Sequence, residues 1–508
     1  MLVPLSATRK AVGMGRTCWL AFGAVCAIAT SAPAAQSPPW AEERGQVSHR
    51  DLAAVGVAPA PKVLTLQEAL QTGLANNAGF RSSIASLLDA QGRLRVARQL
   101  YSLNVAAAAQ STHPGSNGST TETTAETDLN YDMLSGAKVS VSALLNMLDS
   151  EEQTALEFSV TQPLIRGAGR ASERYEALRS AYVAYRRSLL RYSLERQDLA
   201  LSIISGYFGV VQTREQVTIQ EQGLAQADRA VQDFEARLKE GMTTKIEVTR
   251  AQLSQASRRL ALTAAKLSFQ DSMDNFLQTL GLQVGATPEL TTQLRYKPAQ
   301  VNLEALVPEA LRSRPELKIE ELTLEDARAD LRLARNRRRP SLDLFGSTSQ
   351  PVGGANDSTE WRLGIQTSIP LNSRSLDEAV HQAERGWLLA EREQSELRQS
   401  ITTQVRSEAR ALQSQQANLE ILRQSLEVAR EKLRLADISV EEGVGVYRDK
   451  IEAQEQVTAA ERDLLNAQIQ YYFTVLGLRR AVGQDVLQGL ADETQAAGPP
   501  AAQPKPGG

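Results

Sequence analysis

Two stretches of about 70 residues carry an apolar seam at alternating steps of three and four, and each would form a helix roughly 100 Å long at ~1.5 Å per residue. In the first, Tyr175, Leu178, Tyr182, Tyr185 and Leu189 keep this step. It resumes, after a less regular middle, through Leu224, Ala227, Val231, Phe234 and Leu238. In the second, Leu412, Leu419, Leu422, Leu426, Ala429 and Leu433 form the seam. A stripe this narrow fits one partner helix, as in a coiled coil, and not a broad globular core. Helical sequence resumes after each stretch, so the chain is expected to hold two helical hairpins, over 169–280 and 375–481.

The hairpins belong to a duplication. Asn76-Asn77-Ala78-Gly79-Phe80 lies over Ser313-Arg314-Pro315-Glu316-Leu317, and Ala97-Arg98 over Ala334-Arg335, at one common offset. Gly241, Ala251-Gln252 and Gly281 lie over Gly443, Ala453-Gln454 and Gly483 at a second, shorter offset, so the first half carries extra residues. One structural unit is used twice. The first unit is placed at 63–285, opening on a helix with the Thr-x-x-Glu capping box Thr65-Leu66-Gln67-Glu68. A linker at 286–300 leads to the second unit at 301–485, which opens on a helix from Asn302 to Arg338.

Between the opening helix and the hairpin of each unit, at 102–165 and 341–370, the pattern changes to alternation. Trp361, Leu363, Ile365, Thr367 and Ile369 alternate with Arg362, Gly364, Gln366 and Ser368, and Leu156, Phe158 and Val160 alternate with Glu157, Ser159 and Thr161. Such strands suit any half-buried sheet. In an exported chain they also suit the wall of an outer-membrane barrel, which needs about 9–11 residues per strand. Two spanning strands per unit make four per chain, and the smallest barrels have about eight. An open edge in lipid would leave backbone groups unpaired, so subunits must share one barrel. An extra hairpin, Leu129-Asn130-Tyr131-Asp132-Met133 and Lys138–Leu145 joined across Ser135-Gly136, adds two strands and preserves parity. The sequence leaves open whether that hairpin spans the membrane or projects from it.

The ends of the chain set the compartment. A basic start (Arg9, Lys10, Arg16), an apolar run from Cys18 to Ala29, and Ser31-Ala32-Pro33-Ala34 read as a signal peptide over 1–34. Neither Cys18 nor Cys26, the only cysteines, follows a lipobox. A Pro/Ala-rich leader over 35–62 and a tail over 486–508 are expected to lack a core. Losing three of 56 basic residues leaves 53 against 59 acidic ones, a net charge of −6 with no patch for nucleic acid. His49, His113 and His381 stand apart, and there is no phosphate loop, His-x-x-x-His pair or Ser/His/Asp order. Neither an enzyme nor a cofactor or metal site is expected.

With these residues in hand, the chain resembles the TolC-like outer-membrane efflux protein family over about 62–485. The resemblance rests on the paired openings Leu64-Thr65-Leu66-Gln67-Glu68-Ala69-Leu70 and Ala310-Leu311…Arg314-Pro315-Glu316-Leu317. Gln162-Pro163-Leu164 and Ile369-Pro370-Leu371, where strands give way to helices, and the Gly-then-Ala-Gln pairs complete it. It implies a mainly α-helical, internally duplicated homotrimer, in which a shared β-barrel crosses the outer membrane among its lipids and a coiled-coil α-helical barrel extends through the periplasm. The implied function is passive: the exit duct of a tripartite efflux or type I secretion system, fed by an inner-membrane transporter through a periplasmic adaptor. The alternative is a periplasmic coiled-coil adaptor or scaffold without a pore, but adaptors carry one helical hairpin where this chain has two.

The resemblance also assigns the turns. Gly241, Met242, Thr243, Gly443, Val444 and Gly445 form the tips that would dock the adaptor; Gly241 acts as a left-handed helix stop and Thr244-Lys245-Ile246-Glu247 as a second capping box. Asp449 and Glu452, three residues apart on one helix face, match carboxylates that line the periplasmic aperture, and Glu247 matches a further acidic tip residue. The family's Tyr and Arg latch is replaced here by Val440 and Gly445. The cluster Arg335, Arg337, Arg338 and Arg339 reads as a helix end whose cations oppose the dipole, with anchoring to lipid headgroups as the other reading.

Overall fold

The structure, a computed structural model, describes residues 59–99, 104–112, 122–148, 151–241, 244–294, 302–352, 359–371, 374–442, 447–489 and 494–496. The expected signal peptide and most of the leader lie outside them. The described residues form two compact units.

One unit holds 90–185 and 325–388 and is built on a single antiparallel sheet. Its strands are β2 (Asn104–Thr112), β3 (Glu122–Asp132), β4 (Lys138–Leu148), β5 (Glu151–Pro163), β8 (Ser341–Val352) and β9 (Glu360–Ser368), in that spatial order. The extra hairpin foreseen around Ser135-Gly136 is therefore β3–β4, inserted between β2 and β5. The two repeats join where β5 pairs with β8, from Thr154↔Val352 to Pro163↔Asp343.

The other unit, 47–89, 186–324 and 389–508, holds most of the helices. In the first repeat these are α1 (Leu66–Asn76), α2 (Ala78–Gln99), α3 (Glu173–Lys239) and α4 (Lys245–Leu280). In the second they are α5 (Leu303–Ser313), α6 (Pro315–Arg337), α7 (Arg374–Glu441) and α8 (Tyr447–Val482). The ends of α2, α3, α6 and α7 next to the strands belong to the sheet unit. Thr65 and Glu68 close the expected capping box, the Glu68 amide donating to Thr65 Oγ1 over 3.2 Å and the Thr65 amide to Glu68 Oε2 over 2.9 Å. The Thr65 amide, and with it the Thr65 hydroxyl, donates to the Glu68 carboxylate and holds it below its ordinary pKa.

The expected helix from Asn302 to Arg338 is two helices, because a residue before proline is pushed out of the helical region and Arg314 precedes Pro315. Arg314 is extended at φ −60, ψ 125, and its counterpart Asn77 has φ −61, ψ 124. Each break receives the C-terminus of a hairpin. Asn77 Nδ2 donates to the Thr279 carbonyl over 2.8 Å, and Ser313 Oγ donates to the Val482 carbonyl over 2.5 Å. The helices above these contacts end in left-handed glycines, Gly281 (φ 70) and Gly483 (φ 84).

The helices pack around two main cores. In the first, Leu66 and Leu70 of α1 meet Ile203, Tyr207 and Phe208 of α3 and Phe276 of α4. The Tyr207 hydroxyl is buried there and donates to the Leu64 carbonyl over 3.2 Å. Ile469, Tyr472 and Leu476 of α8 complete that core, and Phe208 and Tyr472 meet edge to face at 5.6 Å. The second core packs Ala310 and Leu317 on Ile401, Val405, Ala409, Leu412 and Leu419 of α7. The predicted seam residues Leu412, Leu419, Leu426 and Ala429 are all buried.

Short elements occur within the expected linker and at the start of the expected tail. The stretch 286–300 contains β6 (Glu289–Leu290), parallel to β1 (Val63–Leu64), and β7 (Thr292–Leu294). The tail expected from 486 contains a helical turn at Val486–Gly489, with Val486 fully buried, and a strand β10 (Thr494–Ala496) paired with β7. Val486 enters the first core, and β10 is held by backbone bonds to β7; residues 490–493 and 497–508 lie outside the described residues.

The paired glycines make a test. A Cβ on Gly281 would lie 2.6 Å from the Asn76 carbonyl oxygen, and one on Gly483 3.0 Å from the Arg314 amide nitrogen. Strain of this kind costs about 1–3 kcal/mol, so Gly281→Ala and Gly483→Ala are each expected to lower the midpoint of thermal unfolding followed by helical circular dichroism. Gly209→Ala, in open space within α3, is the control expected not to lower it, since alanine is the better helix former.

Candidate functional site: sheet wall, strand roots and helical tips

Alternation gives the sheet two unlike faces. Leu129 and Tyr131 of β3 share a face with Val139 and Val141 of β4, Phe158 and Val160 of β5, and Leu342 and Leu344 of β8, by register. Trp361, Leu363 and Ile365 of β9 continue it and are 76%, 62% and 67% exposed. The opposite face carries Asp128, Asn130, Ser140, Ser142, Glu157 and Ser159. The other apolar residues of this face are half-buried, and large apolar side chains exposed along β9 beside them mark a surface suited to lipid. The sheet is open: among the described residues β2 and β9 each have one strand partner, so each presents a bare backbone edge.

The strand roots are fixed to the helices that follow them. Gly136, at φ 88, lets the β3–β4 turn approach the backbone so closely that a Cβ would lie 2.4 Å from the Gly167 carbonyl oxygen. Ser172 Oγ donates to the Leu134 carbonyl over 2.8 Å, and the Gly169 amide donates to the Ser135 carbonyl over 2.9 Å. Asn336 Oδ1 accepts from the Gly167 amide over 2.9 Å, and Arg174 on α3 pairs with Asp132 on β3. Deeper in the helices, the buried guanidinium of Arg179 holds Glu176 and, over 2.8 Å, Asp326 on α6. Burial, then the charges of Asp326 and Glu176, push the neighbouring Asp330 carboxyl above its ordinary range.

The basic cluster at the end of α6 follows the helix-end reading. Arg335 pairs with Glu384 and Arg338 with Asp377, both over 2.8 Å and both across to α7. These two charges already have carboxylate partners within the protein.

At the tips, Gly241 has the left-handed conformation expected of it (φ 78), with open space where a Cβ would stand. Met242, Thr243, Gly443, Val444 and Gly445 lie outside the described residues. The second expected capping box does not form: Thr244 is the N-cap but its side chain makes no capping bond, and Glu247 instead accepts from Arg250 over 2.8 Å. The guanidinium one turn along offers a charged donor, and a charge-assisted bond outcompetes a backbone amide. Asp449 and Glu452 are both exposed on the first turns of α8. Glu452 accepts from Gln456 over 3.2 Å and lies 3.7 Å from Lys432 of α7, a contact across the hairpin that three-residue spacing on one helix did not reveal. Among the described residues no cluster of His, Cys, Asp and Glu could hold a metal ion, and no helix is long and apolar enough to cross a membrane.

A duplicated pair of long helical hairpins joined to one open, two-faced antiparallel sheet defines the class: the fold is that of outer-membrane channel subunits. Known proteins agree. Outer membrane protein VceC of Vibrio cholerae superposes with a TM-score of 0.62 over 83% of this chain and 96% of its own, at 17% identity. The Campylobacter jejuni CmeC outer membrane channel gives 0.63 over 89% and 96%, at 13% identity. Outer membrane protein TolC of Vibrio cholerae is 22% identical over 58% of this chain and 71% of its own length. Nodulation protein T of Rhizobium leguminosarum bv. trifolii is 24% identical over 52% of this chain and 58% of its own. Residues 306–484 match the family model for outer membrane efflux protein. The chain is thus similar in fold to outer-membrane channels, matches the efflux-protein family model over its second repeat, and spans less than two thirds of the length of nodulation protein T.

The Asp330 environment gives a pH test. A carboxyl whose folded pKa is raised binds its proton more tightly folded than unfolded, so its penalty on stability is absent below the unfolded pKa and grows as pH rises through the folded one. Asp330→Asn is therefore expected to be more stable than the native chain in urea unfolding at pH 7. The gain should disappear below about pH 4, the ordinary aspartate range.

Proposed function

We propose that the chain is the exit-duct subunit of a tripartite export system, acting as a homotrimer in the outer membrane and conducting cargo without chemistry of its own. The observation that carries this reading is the open, two-faced sheet. Its apolar face requires lipid, and its bare edges cannot remain unpaired there. Six strands fall short of the roughly eight needed to close a barrel, so copies must complete one another. The reading of three copies rests on the resemblance to the TolC-like family. A periplasmic adaptor without a pore has no use for such a face.

Cargo would arrive from an inner-membrane transporter through a periplasmic adaptor. Similar proteins are named for pyoverdine export, for alkaline protease secretion and for cobalt-zinc-cadmium resistance. One duct architecture thus serves very different cargo, and the choice belongs to the pump. The tips Gly241, Met242, Thr243, Gly443, Val444 and Gly445 are the surface we assign to the adaptor. Asp449, Glu452 and Glu247 are the carboxylates we assign to the aperture, where three copies make each a ring that favours cations.

Detergent extracts of outer membranes are expected to yield a trimer by native mass spectrometry; a soluble monomer in the periplasmic fraction would overturn the reading. The tips and aperture are tested separately. Met242→Asp with Val444→Asp is expected to abolish export while leaving the trimer intact. In planar bilayers, Asp449→Ala with Glu452→Ala is expected to lower cation selectivity and relieve block by multivalent cations added on the tip side. Unchanged export in the first pair, or unchanged selectivity and block in the second, removes the corresponding assignment.

A further inference from the structure

We infer that the β3–β4 hairpin is part of the membrane wall, so that each copy contributes six spanning strands and three copies close into a barrel of eighteen. This inference rests on the trimeric channel reading and goes beyond it, since two strands per repeat would close a barrel of twelve.

Position in the sheet carries the argument. The hairpin is not attached at an edge, where it could bend away from the membrane and leave the wall intact. It stands between β2 and β5, and those two strands have no other link to each other within the sheet. β3 pairs with β2 from Asn104↔Asn130 to Thr112↔Glu122, and β4 pairs with β5 from Lys138↔Thr161 to Leu148↔Glu151. Withdrawing the hairpin would strip one edge of β2 and one edge of β5 of their partners inside hydrocarbon, where each unpaired backbone group is costly.

Length and pattern agree with position. β3 and β4 have 11 residues each, beside 9 in β2 and 13 in β5, and a tilted span needs about 9–11. The partition of faces runs through the hairpin without a shift of register: Leu129, Tyr131, Val139 and Val141 stand with Phe158 and Leu363, and Asn130 and Ser142 stand opposite. The inner turn is fixed at the level of the other strand roots by Gly136 against Gly167 and by Ser172 on Leu134.

The consequence is width. Barrel diameter grows roughly linearly with strand number, and barrels of about 16–18 strands leave a water-filled channel. Eighteen strands give about 1.5 times the diameter and about 2.25 times the cross-section of a twelve-strand closure. The duct would pass hydrated cargo too large for the narrower wall.

Both cysteines lie in the expected signal peptide, so single cysteines can report position in the mature full-length trimer. Leu129→Cys, Asn130→Cys, Val141→Cys and Ser142→Cys are placed in the hairpin, with Arg362→Cys and Leu363→Cys on β9 as controls. Trimers reconstituted in phosphatidylcholine–phosphatidylglycerol vesicles are treated with a charged maleimide, and a fluorophore at each site is tested for quenching by nitroxide-bearing lipid. Asn130→Cys, Ser142→Cys and Arg362→Cys are expected to react with the maleimide, and the other three to be shielded from it and quenched by lipid. Alternation at β9 with uniform reactivity in the hairpin would overturn the inference alone. Loss of alternation at β9 as well would overturn the channel reading with it. A second variant lacking 122–148 would join β2 to β5 through the remaining loop. Its trimers are expected to exclude smaller polyethylene glycols, applied from the strand side, than the native channel does. An unchanged cut-off would also overturn the inference.

Discussion

A backbone amide in hydrocarbon has no water to bond with, and that constraint organises this protein. It accounts for the pairing along the strands and for the apolar and polar faces of β3, β4, β5 and β9, and on the proposed reading it leaves the sheet incomplete within one chain. A soluble sheet could blunt its edges with charges or cover them with a loop. Here β9 leads into an edge lined by Trp361, Leu363 and Ile365, a surface that water penalises and lipid does not. On the proposed reading, oligomerisation is a requirement of the backbone and not an addition to a finished fold.

The duplication also repeats one way of fixing the end of a long hairpin against the opening helices. Each repeat uses the same joint: a break between two helices, at Asn77 or Arg314, receives a helix end closed by a left-handed glycine, Gly281 or Gly483. The breaks have almost identical dihedrals although one residue is a neutral amide and the other a buried cation. Asn77 accepts from the Phe80 amide over 2.9 Å, whereas Arg314 reaches Gln404 on α7 over 2.9 Å. Backbone geometry has been kept while the side-chain chemistry diverged, as expected where the joint itself is what matters.

Much of this was legible in the chain because it depends on period. Three-four seams mark the hairpins, alternation marks β5 and β9, and repeated short motifs mark the duplication. What escaped was set by partners distant in sequence. The break at Arg314 was signalled by Pro315 and missed because the helical pattern continues on both sides. Thr244 and Glu247 have the spacing of a capping box, but Arg250 competes for the carboxylate. Nothing near Glu452 in sequence points to Lys432, and nothing in the composition of the tail shows that Val486 is buried. The place of the β3–β4 hairpin within the sheet was likewise invisible, since alternation gives a strand its faces but not its neighbours.

The first core bears on how the molecule is made. Leu66 near one end of the chain and Leu476 near the other are buried in the same cluster, together with Tyr207 and Phe276. A ribosome or a translocation pore delivers these residues in order, so the first repeat emerges long before its core can be finished. Until α8 follows, Phe208 lacks the ring of Tyr472 and the cluster stays open to water. Contacts this far apart in sequence close slowly and leave apolar surface exposed meanwhile. A chain that ends before α8 lacks Ile469, Tyr472 and Leu476, and its first repeat is left with an incompletely covered core.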